Sequence, residues 1–260
     1  MVGAGIARPI SVGTIILGCT VSSAYMGRAM PAPTSEVTSM EYTLTKTNRK
    51  TIALYVRNGK LEVKAPQRAT KKQIETFIHS KADWINEKLP KSINQQQKRE
   101  AFTLNYGDNV LLLGQLHPII SAQGKLKFDN QNFCIPQGLN PQQIKDTCIK
   151  IYRTIAKEYL PNRTLEIAKT MNLNPTTIKI NGAYTRWGSC SSLGNINFSW
   201  RLIMANPETI DYVITHELAH LQEMNHSPKF WAIVENAIPN YKQHKQHLKQ
   251  LQKRLATENW

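Results

Sequence analysis

Acidic side chains are scarce: 18 Asp and Glu stand against 33 Lys and Arg in 260 residues, a formal net charge of +15. Such a balance favours polyanionic surroundings, whether nucleic acid, an anionic membrane surface or acidic substrates. No run interleaves the basic residues with aromatics, so nothing suggests a single-strand-binding groove. They are spread instead through Lys60 to Lys72, Lys88 to Arg99 and Lys242 to Arg254. Cysteine is sparse as well. Cys19, Cys134, Cys148 and Cys190 form no CxxC pair and no metal-finger spacing. A chain this long needs no disulfide scaffold, and a reducing cytosol suits it best. Internal repeats are absent, and so is any long apolar run. The uncharged stretch from Pro9 to Gly27 is rich in Gly, Ser and Thr and is marginal as a membrane span.

Residues 1–39 are therefore expected to be a non-domain extension: a tail, a weak anchor or the product of a mis-assigned start. Ile16-Leu17-Gly18-Cys19 resembles a lipoprotein cleavage box, although Leu17 is bulky for its place. Met40 opens a sequence that reads as the start of a folded domain. The expected location is cytoplasmic, with anchoring through residues 1–39 as the alternative.

The rest reads as an α+β chain in two parts, a β-rich region over 40–138 with one helix and a mostly helical domain over 139–260. Thr51 to Arg57 and Lys60 to Ala65 are strand-like, and Asn58-Gly59 between them suits a type I′ hairpin turn. Thr70 and Gln73 form a capping box for a helix whose apolar face is Ile74, Phe77, Ile78 and Ile85. Lys91 to Arg99 reads as a polar linker, and residues 101–135 as further short strands. Asn140-Pro141 opens a helix that Pro161 should end or kink, with a second segment reaching about Met171. From Gly194 to Leu202 apolar and polar residues alternate, predicting a half-buried strand with one polar face.

The sharpest signal is His216-Glu217-Leu218-Ala219-His220. Asn206-Pro207 caps and opens a helix here, and Glu208 and Asp211 suit the positive end of its dipole. Ile210, Ile214, Leu218 and Leu221 share one stripe, while the two histidines lie four apart on another side. At that separation Cβ atoms are about 5–6 Å apart, so both imidazoles can reach one ion. Glu217, about 100° round the helix, can reach a water there without being a ligand. The plainer alternative is a buried, hydrogen-bonded histidine pair; the histidines' avoidance of the apolar stripe argues against it.

A catalytic zinc needs a third ligand and one open position. Glu223 shares the helical side but lies about 10 Å along the axis from His216 if the helix runs straight. His226 follows Asn225, a residue suited to ending the helix, and Ser227-Pro228 then opens another. His226 is the better third ligand. The histidine spacing is that of the metzincins, yet Glu223 stands where they have Gly, and no Met follows for their Met-turn.

The segment from Thr185 to Trp231, TRWGSCSSLGNINFSWRLIMANPETIDYVITHELAHLQEMNHSPKFW, resembles the YgjP-like metallopeptidases, relatives of the SprT-like zincins. The resemblance spans nearly all of Met40 to the C-terminus and is most specific over Arg186 to Trp231. It implies a zincin-like helical catalytic domain with a small antiparallel sheet. It also implies one zinc ion at His216, His220 and His226, and Glu217 as the catalytic base. The family's strand beside the cleft would be Gly194 to Leu202, whose polar edge could pair with an extended substrate. Arg186-Trp187-Gly188-Ser189-Cys190 matches the family too. Cys190 reads as a core residue, and Arg186 fits an oxyanion stabiliser or an ion pair equally well. The expected partner is a peptide or protein substrate, with nucleic acid or another polyanion possible through the basic surface and no membrane partner indicated. A phosphoanhydride or nucleotide hydrolase and a nucleic-acid module with structural zinc are the rival readings. His244 and His247 read as a solvated basic face rather than a second metal site, and His79 and His117 as structural.

Overall fold

The computed structural model describes residues 11–17 and 38–260. The chain forms two compact units, Met1–Ala101 and Phe102–Trp260.

In the first unit, β1 (Ser11–Leu17) pairs antiparallel with β2 (Thr38–Thr47), β2 runs parallel to β4 (Lys60–Pro66), and β4 closes a hairpin with β3 (Ala53–Arg57). The hairpin turn forms because Asn58 and Gly59 both take positive φ, 48° and 69°. Ser11–Leu17 thus pairs with the sheet, although the sequence reading left it outside any domain. The remaining expectations for residues 1–39, including the box ending at Cys19, fall outside the described residues. Thr70 and Gln73 make the reciprocal capping box that starts α1 (Lys71–His79). A second helix, α2 (Ala82–Ala101), then runs through Pro90 and through the segment read as a linker. Lys, Gln, Arg and Glu are good helix formers, and Glu87 pairs with Lys91 one turn on, at 3.0 Å. Ser92 fastens this helix to the hairpin by accepting the Gly59 N–H at 3.0 Å. Leu61, Val63, Ile74, Ile78 and Ile85 fill the core of this unit.

The second unit begins with β5 (Asn109–Leu112), β6 (Gln115–Ser121), β7 (Lys127–Phe128) and β8 (Phe133–Ile135), ordered β5-β6-β8-β7. The expected division near residue 138 is corrected to the junction of Ala101 and Phe102. The reason is burial: Val110, Leu112, Ile119, Phe133 and Ile135 enter the same core as α3 (Pro141–Thr170). Tyr152 of α3 also donates to the Leu111 carbonyl at 2.7 Å. Asn140 and Gln143 cap α3, which continues unbroken through Pro161 to Met171 as its C-cap.

A mixed three-stranded sheet follows, ordered β10-β11-β9 from β9 (Thr177–Asn181), β10 (Gly188–Cys190) and β11 (Asn195–Ser199). β11 is antiparallel to β10 and parallel to β9. The expected small antiparallel sheet is therefore corrected to a mixed one, and so is the substrate-pairing edge. β11 lies in the middle with neighbours on both sides, which leaves β10 and β9 as the strands with an outer edge. The alternation predicted for Gly194 to Leu202 holds only to Ser199. Trp200–Met204 coils into a 3-10 turn, all of it buried, because Arg201 reaches the carbonyls of Gly182 and Trp260 at 3.0 and 2.7 Å. Three helices complete the unit: α4 (Pro207–Ala219), α5 (Pro228–Ala237) and α6 (Tyr241–Leu255). Among the described residues no helix is long and apolar enough to cross a membrane.

Candidate metal centre

Asn206 starts α4 by accepting the Thr209 N–H at 3.2 Å, with Pro207 in the first turn. Ile210, Ile214 and Leu218 are fully buried, as the stripe predicted. The helix ends at Ala219 with His220 as its C-cap, earlier than the sequence suggested; Asn225 is not in the left-handed region and caps nothing. Bonds from Leu221 and Gln222 back to Leu218 and Ala219 tighten the exit. Ser227 then caps α5 by accepting the Phe230 N–H at 3.3 Å, which delivers Phe230 directly beneath the histidines.

The two caps bring His216, His220 and His226 together. One ring nitrogen from each lies within 4.8 Å of the others, the single such cluster of metal-ligating side chains among the described residues. Their ring centroids are 4.8–5.1 Å apart, and Phe230 packs on all three at 4.5–4.9 Å. His220 Nδ1 lies 3.1 Å from the Glu223 carbonyl. A carbonyl only accepts, so this nitrogen carries the proton and Nε2 presents a lone pair. Glu223 thereby acts through its backbone and lies outside the ligand cluster. Nε2 of His216 and Nε2 of His226 face each other at 3.0 Å, and His216 Nδ1 is buried without a partner. Three inward-facing nitrogens fit a cation: tetrahedral ligands about 2.1 Å from zinc stand about 3.4 Å apart.

Electrostatics favour neutral ligands. Burial, aided by the charges of His220, His226 and Lys245, pushes His216 down to about 3. Burial also lowers His220, against the bond to Glu223. Neutral imidazole is the form that binds metal. Burial pushes the Glu217 carboxyl up to about 7, opposed by the positive charge of Arg186. The Cys190 thiol is raised by burial and by Glu217, which suits an inert residue and not a nucleophile.

Other features had no readable signal in the sequence. Gly188 lies flat against Glu217, where an added Cβ would sit 2.5 Å from Oε1. Trp231 stacks on His226 at 5.7 Å and on Tyr241 at 5.2 Å, walling one side of the triad. Lys245 stands 5.3 Å from the Trp231 ring centre. His244 is buried, its Nδ1 3.2 Å from Thr209 Oγ1, rather than on the solvated face expected for it. His117 Nδ1 meets the Gln131 carbonyl at 3.0 Å.

Three histidines able to hold an ion beside a buried carboxyl group define the class as a candidate metal-binding protein. The family follows: the model of the YgjP-like metallopeptidase domain matches residues 50–251, and the chain belongs to that family. No curated protein matches the chain. Two solved structures resemble part of it. The metallopeptidase zymogen abylysin of Pyrococcus abyssi is 19% identical over 38% of this chain and 97% of that one, with a TM-score of 0.33. The metallopeptidase zymogen jannalysin of Methanocaldococcus jannaschii is 24% identical over 36% and 95%, with a TM-score of 0.32.

Proposed function

We propose that the chain is a zinc peptidase of zincin-like design, with one ion held by His216, His220 and His226 and with Glu217 as its general base. The observation that carries this reading is the convergence of three imidazole nitrogens within 4.8 Å. An ion held by these three histidines would supply Lewis acidity, the chemistry that activates a water and polarises a carbonyl near neutral pH. Glu217 accepts the attacking water's proton and returns it to the departing amine, and burial suits its carboxyl to both roles. Glu223 holds the His220 tautomer through its carbonyl, and Phe230 fixes the planes of all three rings. The substrate backbone pairs with the outer edge of β10, beginning at Gly188, beside Glu217.

The test is Glu217→Gln. It should lower kcat on a cleaved peptide by about 10²–10⁴-fold while metal analysis still finds one zinc per chain. A fully active variant would remove Glu217 from the mechanism. Assays with nucleoside triphosphates run in parallel separate peptide from phosphoanhydride hydrolysis.

A further inference from the structure

We infer that Lys245, seated on Trp231, forms a subsite that selects an acidic side chain next to the scissile bond. The inference rests on the peptidase reading and names its substrate class. Trp231 is the connecting piece. It lies against His226 and His216, with centroids 5.7 and 5.9 Å away, and Tyr241 stacks on it at 5.2 Å. The ring therefore forms a wall at the mouth of the triad. Lys245, one turn beyond Tyr241 on α6, holds its ammonium 5.3 Å from the ring centre while remaining exposed.

That placement brings a fixed positive charge to the metal's rim. A cation over an aromatic face keeps its stem ordered on the ring and its head free for an anion. A second exposed cation, Arg186, stands two residues before Gly188, which lies against Glu217. A substrate lying along β10 and reaching the triad thus has a positive group near each of the two. A basic side chain there is repelled and an acidic one attracted. The excess of 33 Lys and Arg over 18 Asp and Glu works in the same direction at long range.

Matched fluorogenic peptides carrying Glu, Gln or Lys at each of the four positions nearest the scissile bond test this, using the zinc-loaded full chain. At one position wild type should prefer Glu over Lys by about tenfold in kcat/KM, the size expected of a partly exposed ion pair replaced by repulsion. Lys245→Glu should reverse that order. Lys253→Glu, the same change of net charge farther along α6, should leave the ratio alone and so separate a local subsite from overall charge. Cleavage without charge preference, or a preference that Lys245→Glu leaves intact, overturns the subsite and spares the peptidase reading. Failure of wild type to cleave any peptide while it hydrolyses a nucleoside triphosphate overturns both.

Discussion

Replacing Gly188 by alanine should remove most of the hydrolytic activity and leave the metal bound. The added Cβ would lie 2.5, 2.6 and 2.8 Å from Oε1, Cγ and Cδ of Glu217. Ordinary contacts between such atoms begin near 3.5 Å, so the carboxyl group and the strand must separate by about 1 Å. Gly188 is not in the left-handed region, so alanine fits its backbone and the strain falls on this one contact. Glu217 is buried and β10 is an edge strand of three residues, so either partner could yield. Both movements widen the gap between the base and a substrate on that edge. A displacement of about 1 Å costs about 10²-fold in rate, equivalent to about 2.7 kcal/mol of transition-state stabilisation. The assay is kcat and KM on a peptide substrate, with zinc content and Tm measured on the same preparation. A second variant sharpens it. Glu217→Asp removes one methylene, so in the Gly188→Ala background it should cost much less than in wild type, a coupling a double-mutant cycle reads directly. Wild-type kcat in Gly188→Ala, or additive losses in the cycle, would refute the steric reasoning.

Two further outcomes concern stability. His216 is depressed to about 3 in the folded, metal-free protein. Its stabilising contribution is therefore complete above about pH 6.5, the unfolded value, and is lost as pH falls toward 3. At pH 5 the loss is about 2 kcal/mol. Urea unfolding of chelated protein at pH 7.5 and 5 measures it, and His216→Gln should flatten the slope; an unchanged slope contradicts the assignment. Arg163 of α3 grips Asp211 of α4 through two bonds of 2.8 Å, partly exposed on the arginine side. Asp211→Ala should cost about 1 kcal/mol, and a Tm equal to wild type would show that solvent screens the pair completely.

What the sequence disclosed was what short-range chemistry decides. Thr70, Asn140 and Ser227 start helices by accepting the N–H three residues on, and the Thr70–Gln73 box and the Asn140-Pro141 and Ser227-Pro228 pairs could be read without the fold. The type I′ turn at Asn58-Gly59 and the stripe of α4 are of the same kind. The geometry of the histidines follows from two such caps with a short turn between. The rest depended on distant partners. Ser11–Leu17 has no strand signal of its own strength and exists by pairing with β2. The boundary moved to residue 101 because the core of α3 reaches back to Val110 and Leu112. β10 is too short to recognise, so its edge position, and the fit of Gly188 against Glu217, emerge only when α4 packs on it. Trp231 and Lys245 are one constellation only because α5 and α6 fold together. Pro161 does not end its helix, since α3 has enough good formers on both sides to absorb a missing N–H.

α4 stops at Ala219, and His220 is already its cap. The histidine cluster therefore sits at the negative pole of that helix, beside the carbonyl ends of its last turn, of which Leu218 and Ala219 already accept from the exit turn. A cation held by the three imidazoles would meet partial negative charge from peptide groups, with no carboxylate in the cluster. On the proposed reading, the site would favour a cation while His216, His220 and His226 all stay neutral.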